Sequence, residues 1–298
     1  MKFAITGNVD KAGLPEATRR LVEEIERAGA EFVIDRSLLP LLGPELRSEY
    51  ASKGVDIVKV IRREDILVAL GGDGTILHAA RLIGKIGTPI LGVNLGKLGF
   101  LAEIAPEELE LSIRNILAKK YVVEERIVLC ASSPKLPGKT FCAVNDVVVD
   151  KSPTSRLINM ETYISGEYAV TYRADGLIIS TPTGSTAYAL SNGGPIVIPT
   201  SSVIGITPIA PHTLSGRPLI VPDTTSIRVV VPGGESDVLF SVDGQRETLP
   251  GDPVEVIIEK APYTIRLLRR TDRTYFDVLR AKLFWGQDAR SFGGEEGK

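Results

Sequence analysis

The sequence predicts a two-part protein, an α/β domain built on a parallel sheet followed by an all-β domain of the sandwich type. Over the first third of the chain, short apolar runs alternate with stretches whose apolar residues recur every three or four positions, which is the pattern of βαβ units. From about Tyr121 the segments become short, rich in Val and Ile, and separated by Gly, Pro, Asp or Ser. That spacing is typical of paired antiparallel sheets.

The elements of the first part can be predicted in order. Pro15 suits the first turn of a helix, and Gly29 is a natural C-terminal stop. The apolar run that ends at Leu70 reads as a buried parallel strand. Strands are predicted at Lys2–Thr6, Glu31–Asp35, Asp65–Leu70 and Pro89–Val93, and helices at Pro15–Ala28, Thr75–Leu82 and Pro106–Lys120.

The second part is predicted as a series of strands with one long polar interruption at Thr181–Gly194. The end of the chain, Arg280–Gln287, carries apolar residues and is expected to return to the first domain. We therefore expect domains at 1–121 and 122–265 and a returning segment at 266–298. The strands are predicted at Glu125–Ala131, Thr140–Val149, Leu157–Ile164, Ala169–Tyr172, Gly176–Ser180, Ser226–Val231, Asp237–Val242 and Pro253–Glu259.

Composition limits the classes of partner. The 298 residues are 43% hydrophobic and 24% charged, with a formal net charge of -2, as in an ordinary folded soluble protein. This charge gives no broad attraction to nucleic acid or to an acidic membrane. No apolar run reaches the roughly 18 residues of a membrane span. We expect a cytoplasmic protein with no nucleic-acid or membrane partner.

The two cysteines, Cys130 and Cys142, leave two interpretations open. Together with His78 and His212 they have no zinc-site spacing, so no metal ligands are predicted. Two buried free thiols are the commoner arrangement. If a hairpin forms around Lys135–Lys139, however, the two cysteines lie opposite each other and a disulfide becomes geometrically possible.

A glycine-rich loop between a buried strand and a helix is the strongest chemical signal. Gly71-Gly72-Asp73-Gly74-Thr75 brings backbone amides and a helix N-terminus to a position where phosphate can bind. A carboxylate in such a loop is unfavourable unless it meets a metal ion or a proton to be moved, so Asp73 is the first catalytic candidate. The alternative is a tight turn that happens to contain Asp.

Longer motifs resemble those of the NAD kinase family. They span roughly residues 65–250, and the most specific is the run Asp175–Tyr188, DGLIISTPTGSTAY. The others are GGDGT at 71–75, GVNLGKLGFL at 92–101, Asn145-Asp146, GGP at 193–195 and PIAPH at 208–212. The glycine loop alone is shared with lipid kinases and phosphofructokinases.

The resemblance implies an enzyme that transfers the terminal phosphoryl group of ATP, or of polyphosphate, to the 2′-hydroxyl of the adenosine ribose of NAD, with Mg²⁺. It also implies a Rossmann-like N-terminal domain, a β-sandwich C-terminal domain and a homodimer or homotetramer. Two alternatives remain: a lipid kinase of the diacylglycerol or sphingosine type, and a dinucleotide sensor without turnover.

The resemblance further implies site residues. Asp73 accepts or orients the ribose hydroxyl proton, and Asp175 contacts the nicotinamide part. Asn145 and Asp146 grip the dinucleotide, and Arg156 and Arg173 balance phosphate charge. The remaining nucleotide or substrate contacts are Gly72, Gly74, Thr75, His78, Thr186, Ala187, Tyr188, Ser191 and Gln245. For His78, packing beneath the glycine loop is the alternative.

Overall fold

The chain divides into two compact units. The computed structural model describes residues 1–97, 99–152, 157–213, 216–233, 238–249 and 253–283. Unit 1 comprises Met1–Leu82, Thr88–Glu124 and the segment from Leu267 onward, and unit 2 comprises Ile83–Gly87 and Glu125–Arg266.

The described elements alternate in the first part of the chain and are mostly strands in the second. The strands are β1 Phe3–Gly7, β2 Phe32–Asp35, β3 Gly54–Val55, β4 Ile66–Gly71, β5 Ile90–Asn94, β6 Val122–Ser132, β7 Phe141–Ala143, β8 Asp146–Lys151, β9 Ile158–Ile164, β10 Glu167–Ala174, β11 Gly176–Ser180, β12 Val203–Ile209, β13 Leu219–Pro222, β14 Ile227–Val231, β15 Val238–Val242, β16 Gln245–Leu249 and β17 Val254–Arg269. The helices are α1 Leu14–Arg27, α2 Gly43–Glu49, α3 Ile57–Val60, α4 Asp73–Ile83, α5 Leu109–Leu117, α6 Tyr188–Ser191 and α7 Tyr275–Leu283.

Unit 1 is built on a parallel sheet in the order β5-β4-β1-β2-β3. The end of β17 extends it, with Leu267 beside Ile90. Every residue of β4 is buried, as its unbroken apolar run predicts. One apolar core joins these strands to α1 and α5. This arrangement confirms the predicted α/β class.

The helix ends show where local signals act. Gly29, just beyond α1, has φ +68°, which glycine adopts without a Cβ penalty. The helix predicted over Pro106–Lys120 is shorter. It starts as a 3₁₀ turn at Pro106–Glu108, and α5 ends at Leu117. No helix among the described residues is long and apolar enough to cross a membrane.

Unit 2 consists of two sheets that share one apolar core, and it confirms the predicted sandwich. One is a six-stranded antiparallel sheet in the order β13-β12-β11-β8-β15-β16. The other contains β10-β9-β14-β17, with β6 beside β17 and β7 beside β6. Residues from both sheets, Val147 and Val229 among them, belong to the same buried cluster.

In unit 2, one predicted strand was wrong and three strands were missed. The single strand predicted at Thr140–Val149 is broken at Val144-Asn145 into β7 and β8, which belong to different sheets. Strands β12, β13 and β16 were not predicted. Strand β12 was missed because it contains Pro208, and proline has no backbone N–H to donate to a neighbouring strand. Pro208 is tolerated because β13 pairs only with Val203–Ile206.

Cys130 and Cys142 form a disulfide, so the interpretation as two free thiols was wrong. They occupy paired positions of β6 and β7, with their Cα atoms 4.2 Å apart. The hairpin considered around Lys135–Lys139 therefore brings the two cysteines together.

Candidate active site

Two hydrogen bonds between Gly72 and Thr75 stabilise the glycine loop of unit 1. The backbone N–H of Gly72 donates to the Thr75 hydroxyl (3.3 Å), and the N–H of Thr75 donates to the Gly72 carbonyl (2.9 Å). A Cβ at Gly71 would lie 2.0 Å from Thr75 Oγ1. Glycine at position 71 thus lets β4 turn directly into α4.

Asp73 is the first residue of α4, and three backbone amides hold its carboxylate. Oδ1 accepts N–H groups from Leu101 (3.0 Å) and Ala102 (3.1 Å), and Oδ2 accepts the N–H of Phe100 (2.9 Å). A Cβ at Gly99 would lie 1.9 Å from Oδ1. The second glycine-rich segment is therefore shaped to approach the carboxylate of the first.

The other predicted residues of this loop differ in exposure. Gly74 and His78 are exposed, Gly72 is half-buried, and Thr75 is buried. The alternative in which His78 packs beneath the loop is wrong, because its side chain faces outward. The contacts of these four residues with a nucleotide stay predictions.

Sequence reasoning missed Lys282. Its ammonium lies 3.8 Å from Asp73 Oδ2 and 4.7 Å from the centroid of the Phe100 ring. One signal could have identified it: Lys282 follows Val278 and Leu279 by four and three residues, so it shares their face of the helix. Both of these apolar residues are buried.

In unit 2 the predicted pair Asn145-Asp146 lies where β7 ends and β8 begins. Asp243 accepts N–H groups from Val144 (3.0 Å), Asn145 (2.8 Å) and Asp146 (3.2 Å). Asp243 and Gly244 both have positive φ, +46° and +77°, as a two-residue hairpin turn between β15 and β16 requires. This turn explains the strand break, since its carboxylate satisfies the amides there.

The carboxyl group of Asp146 is strongly perturbed by its surroundings. Its side chain is buried, and burial, followed by the nearby charge of Asp243, raises the pKa of Asp146 to about 7. A carboxyl group of this kind changes charge near neutral pH. Perturbed acids of this sort are frequent at functional sites.

The segment that follows β11 is anchored to the Asn145 region. The N–H of Thr181 donates to the Asn145 carbonyl (2.8 Å), and the Thr181 hydroxyl donates to the Val144 carbonyl (2.5 Å). A Cβ at Gly184 would lie 2.0 Å from the Asn145 carbonyl oxygen. Thr186 and Ala187 on this segment are half-buried, and Tyr188 and Ser191 are exposed.

The remaining predicted residues of unit 2 lie at strand ends. Asp175, between β10 and β11, pairs with Lys151 (Oδ1 to Nζ, 2.7 Å). Arg173 in β10 and Gln245 at the start of β16 are exposed. Arg156 lies outside the described residues. No cluster of three or more potential metal ligands occurs within the described ranges.

Family models match both parts of the chain. The ATP-NAD kinase N-terminal domain matches residues 3–121, and the ATP-NAD kinase C-terminal domain matches residues 144–270. The chain belongs to the NAD kinase family. The predicted family, fold class and phosphotransferase activity are thereby confirmed.

Curated NAD kinases resemble the chain over nearly its whole length. One from Bacteroides fragilis is 40% identical over 293 residues, which cover 97% of this chain and 100% of the relative. One from Geobacter sulfurreducens is 44% identical over 258 residues, covering 85% and 90%. These relatives favour an NAD kinase over the lipid kinase and the sensor.

Two solved structures of family members share the fold. Yeast NADH kinase complexed with NADH has a TM-score of 0.84 at 26% identity, covering 97% of this chain and 89% of that one. An NAD kinase from Archaeoglobus fulgidus in complex with ATP has a TM-score of 0.70 at 25% identity, covering 93% and 98%.

Proposed function

We propose that this member of the NAD kinase family transfers the terminal phosphoryl group of ATP to the 2′-hydroxyl of the adenosine ribose of NAD, with Asp73 as the catalytic carboxylate. This assignment depends on the position and the hydrogen bonds of the Asp73 carboxylate. It lies at the start of α4, and three amides of a second glycine-rich segment fix its orientation. A carboxylate fixed in this way is preorganised for a hydroxyl.

The reaction needs little covalent chemistry from the protein. The ribose oxygen forms a bond to the terminal phosphorus while the bond from that phosphorus to the bridging oxygen breaks. The electron pair of the broken bond leaves with ADP. The hydroxyl proton passes to Asp73 and then to solvent, giving NADP, ADP and H⁺. General-base help of this kind contributes about 10²–10⁴-fold to the rate.

The predicted residues of unit 2 are assigned to the dinucleotide. Asn145 and Asp146 hydrogen-bond sugar or base groups, Asp175 contacts the nicotinamide part, and Arg173, together with Arg156, balances phosphate charge. Thr186, Ala187, Tyr188 and Ser191 line the adenosine pocket, and Gln245 adds a contact. In support, Asn145 and the segment that carries Thr186 are joined by the hydrogen bonds of Thr181.

Mg²⁺ is proposed to enter with the nucleotide. The described residues offer no cluster of three ligands, and the remaining capacity of Asp73, at Oδ2, is assigned to the substrate hydroxyl. This fits an ion held mainly by phosphate oxygens and water, as Mg²⁺ commonly is. When bound, the ion neutralises phosphate charge.

ATP is the proposed donor ahead of polyphosphate, because the related NAD kinase from Archaeoglobus fulgidus was solved in complex with ATP. We further propose a homodimer or homotetramer, a cytoplasmic location, and domains at 1–121 and 122–265 with a returning segment at 266–298. Light scattering of the purified protein tests the oligomeric state.

An assay of NADP formation tests the function. Purified protein is incubated with Mg²⁺, NAD and either ATP or polyphosphate, and NADP is quantified with an NADP-specific dehydrogenase. We expect NADP from ATP. If NADP forms with polyphosphate but not with ATP, polyphosphate is the donor. If the protein binds NAD but forms no NADP with either donor, it is a sensor.

A further inference from the structure

The two oxygens of Asp73 have different surroundings within unit 1. Oδ1 accepts two backbone N–H groups, from Leu101 and Ala102. Oδ2 accepts one, from Phe100, and lies 3.8 Å from the Lys282 ammonium. A carboxylate oxygen has about two lone-pair sites, so Oδ1 is saturated by backbone and Oδ2 retains capacity. Oδ2 is therefore the oxygen available to a substrate hydroxyl, and Lys282 is its charged neighbour.

Helix α7 places Lys282 near Asp73. Thr274 and Asp277 fix the start of α7, since the Thr274 N–H donates to Asp277 Oδ2 (2.8 Å) and the Asp277 N–H to the Thr274 hydroxyl (3.3 Å). Val278 and Leu279 bury one face of the helix. Lys282 continues that face, whereas Arg280 is exposed. A charged residue on the buried face of a helix needs a partner.

Phe100 ties the lysine and the carboxylate together. Its backbone N–H binds Asp73 Oδ2, and its ring lies 4.7 Å from the Lys282 ammonium, within the range of a cation–π contact. The side chains of Asp73 and Lys282 are both about one-third exposed, 30% and 32%. Phe100 thus contacts both side chains, and about a third of each remains accessible to solvent.

We propose that Lys282 is a positioning residue for Asp73. Its ammonium holds Oδ2 in the orientation that meets the acceptor hydroxyl and offsets the repulsion between this carboxylate and the phosphates of the donor. The separation of 3.8 Å exceeds a normal hydrogen bond, so Oδ2 can accept the substrate hydroxyl without losing the attraction of the lysine. This role rests on the proposed function.

The test combines single variants with a double-mutant cycle. Lys282→Met keeps the length of the aliphatic stem and removes the charge. Lys282→Arg keeps the charge, and Arg280→Met on the exposed face of α7 is the matched control. Each variant is assayed for kcat and for the KM of ATP and of NAD, and its thermal midpoint is measured. Lys282→Met is also made in the Asp73→Asn background.

We expect Lys282→Met to lower kcat about tenfold or more, with the KM of NAD within about threefold, because the coupling energy of neighbouring groups reaches this size. Lys282→Arg recovers part of the loss, and Arg280→Met stays within about twofold of wild type. In the Asp73→Asn background, Lys282→Met produces no further loss of kcat, since its effect passes through that carboxylate.

Four results would overturn the inference. Full kcat in Lys282→Met would show that Lys282 does not position Asp73. Losses that multiply in the double variant would show that Lys282 acts independently of the Asp73 carboxylate. If Lys282→Met unfolds, Lys282→Arg decides: a folded Arg variant as weak as Asp73→Asn contradicts a role that depends on charge. An inactive wild-type enzyme refutes the proposed function and this inference with it, whereas an active one with an unaffected Lys282→Met refutes the inference alone.

Discussion

Two aspartates, one in each unit, organise backbone in the same way but in different electrostatic surroundings. Asp73 accepts three consecutive amides from Phe100–Ala102, and Asp243 accepts three from Val144–Asp146. The neighbour of Asp73 is the Lys282 ammonium, whereas that of Asp243 is the buried acid Asp146. The same set of hydrogen bonds thus orders a partly exposed carboxylate beside a lysine in unit 1 and the backbone beside a buried acid in unit 2.

The largest expected difference is catalytic. Asp73→Asn should fold and lose about 10²–10⁴-fold in kcat, because the amide cannot accept the hydroxyl proton. Steady-state NADP formation and a circular-dichroism spectrum check both parts. Asp243→Asn, the matched change in unit 2, should lose far less kcat. Equal losses in the two variants would contradict the difference drawn between them.

One glycine in each unit lies against one of these aspartates or a residue that it holds. A Cβ at Gly184 meets the Asn145 carbonyl oxygen, which is backbone, and a Cβ at Gly99 meets the Asp73 side chain. Gly184→Ala should therefore cost about 3 kcal/mol of unfolding free energy, and Gly99→Ala about 1–2 kcal/mol with a large loss of kcat. Urea unfolding and NADP assays of both variants measure these effects. Gly13→Ala, where a Cβ meets nothing within 4 Å, is the control.

Stability should respond alike to the two Asp→Asn changes. An Asn side chain has one acceptor oxygen, so each variant leaves at least one of the three amides without its partner. We expect about 1–3 kcal/mol of lost unfolding free energy in both Asp73→Asn and Asp243→Asn. Asn tolerates the φ of +46° at position 243, so backbone strain does not contribute. Chemical denaturation at one pH provides the comparison.

Per pH unit, the smallest expected effect is the dependence of stability on pH that Asp146 gives to unit 2. The pKa of Asp146 is raised to about 7 in the folded protein, first by burial and then by the charge of Asp243. The folded state therefore keeps a proton that the unfolded state has already lost. Stability should fall as the pH rises from about 4 to about 7, by at most about 1.4 kcal/mol per pH unit.

Asp146→Asn should flatten this slope, and urea titrations at several pH values measure it. Asp243→Asn should shift the window to lower pH without abolishing it, because burial persists. A slope that survives unchanged in Asp146→Asn would assign the proton to another group.

Much of the framework could be predicted from local patterns. Residue type predicted the apolar strand β4, the end of α1 at a glycine and the Val-rich strands of unit 2. It could do so because burial favours apolar residues and a positive φ favours glycine. Strand β12 escaped prediction because its proline is tolerated only where the neighbouring strand has ended.

The fold class, the glycine loop and Asp73 as the carboxylate within it could be read from the sequence, since each leaves a pattern of residue types along the chain. Three features could be seen only in the folded chain: the amides that reach Asp73 and Asp243, the burial of Asp146 beside a second acid, and the position of Lys282 near Asp73 Oδ2. These contacts join segments far apart in the chain. Hydrogen bonds and charges act over a few ångströms in space, so only the folded chain can bring such partners together.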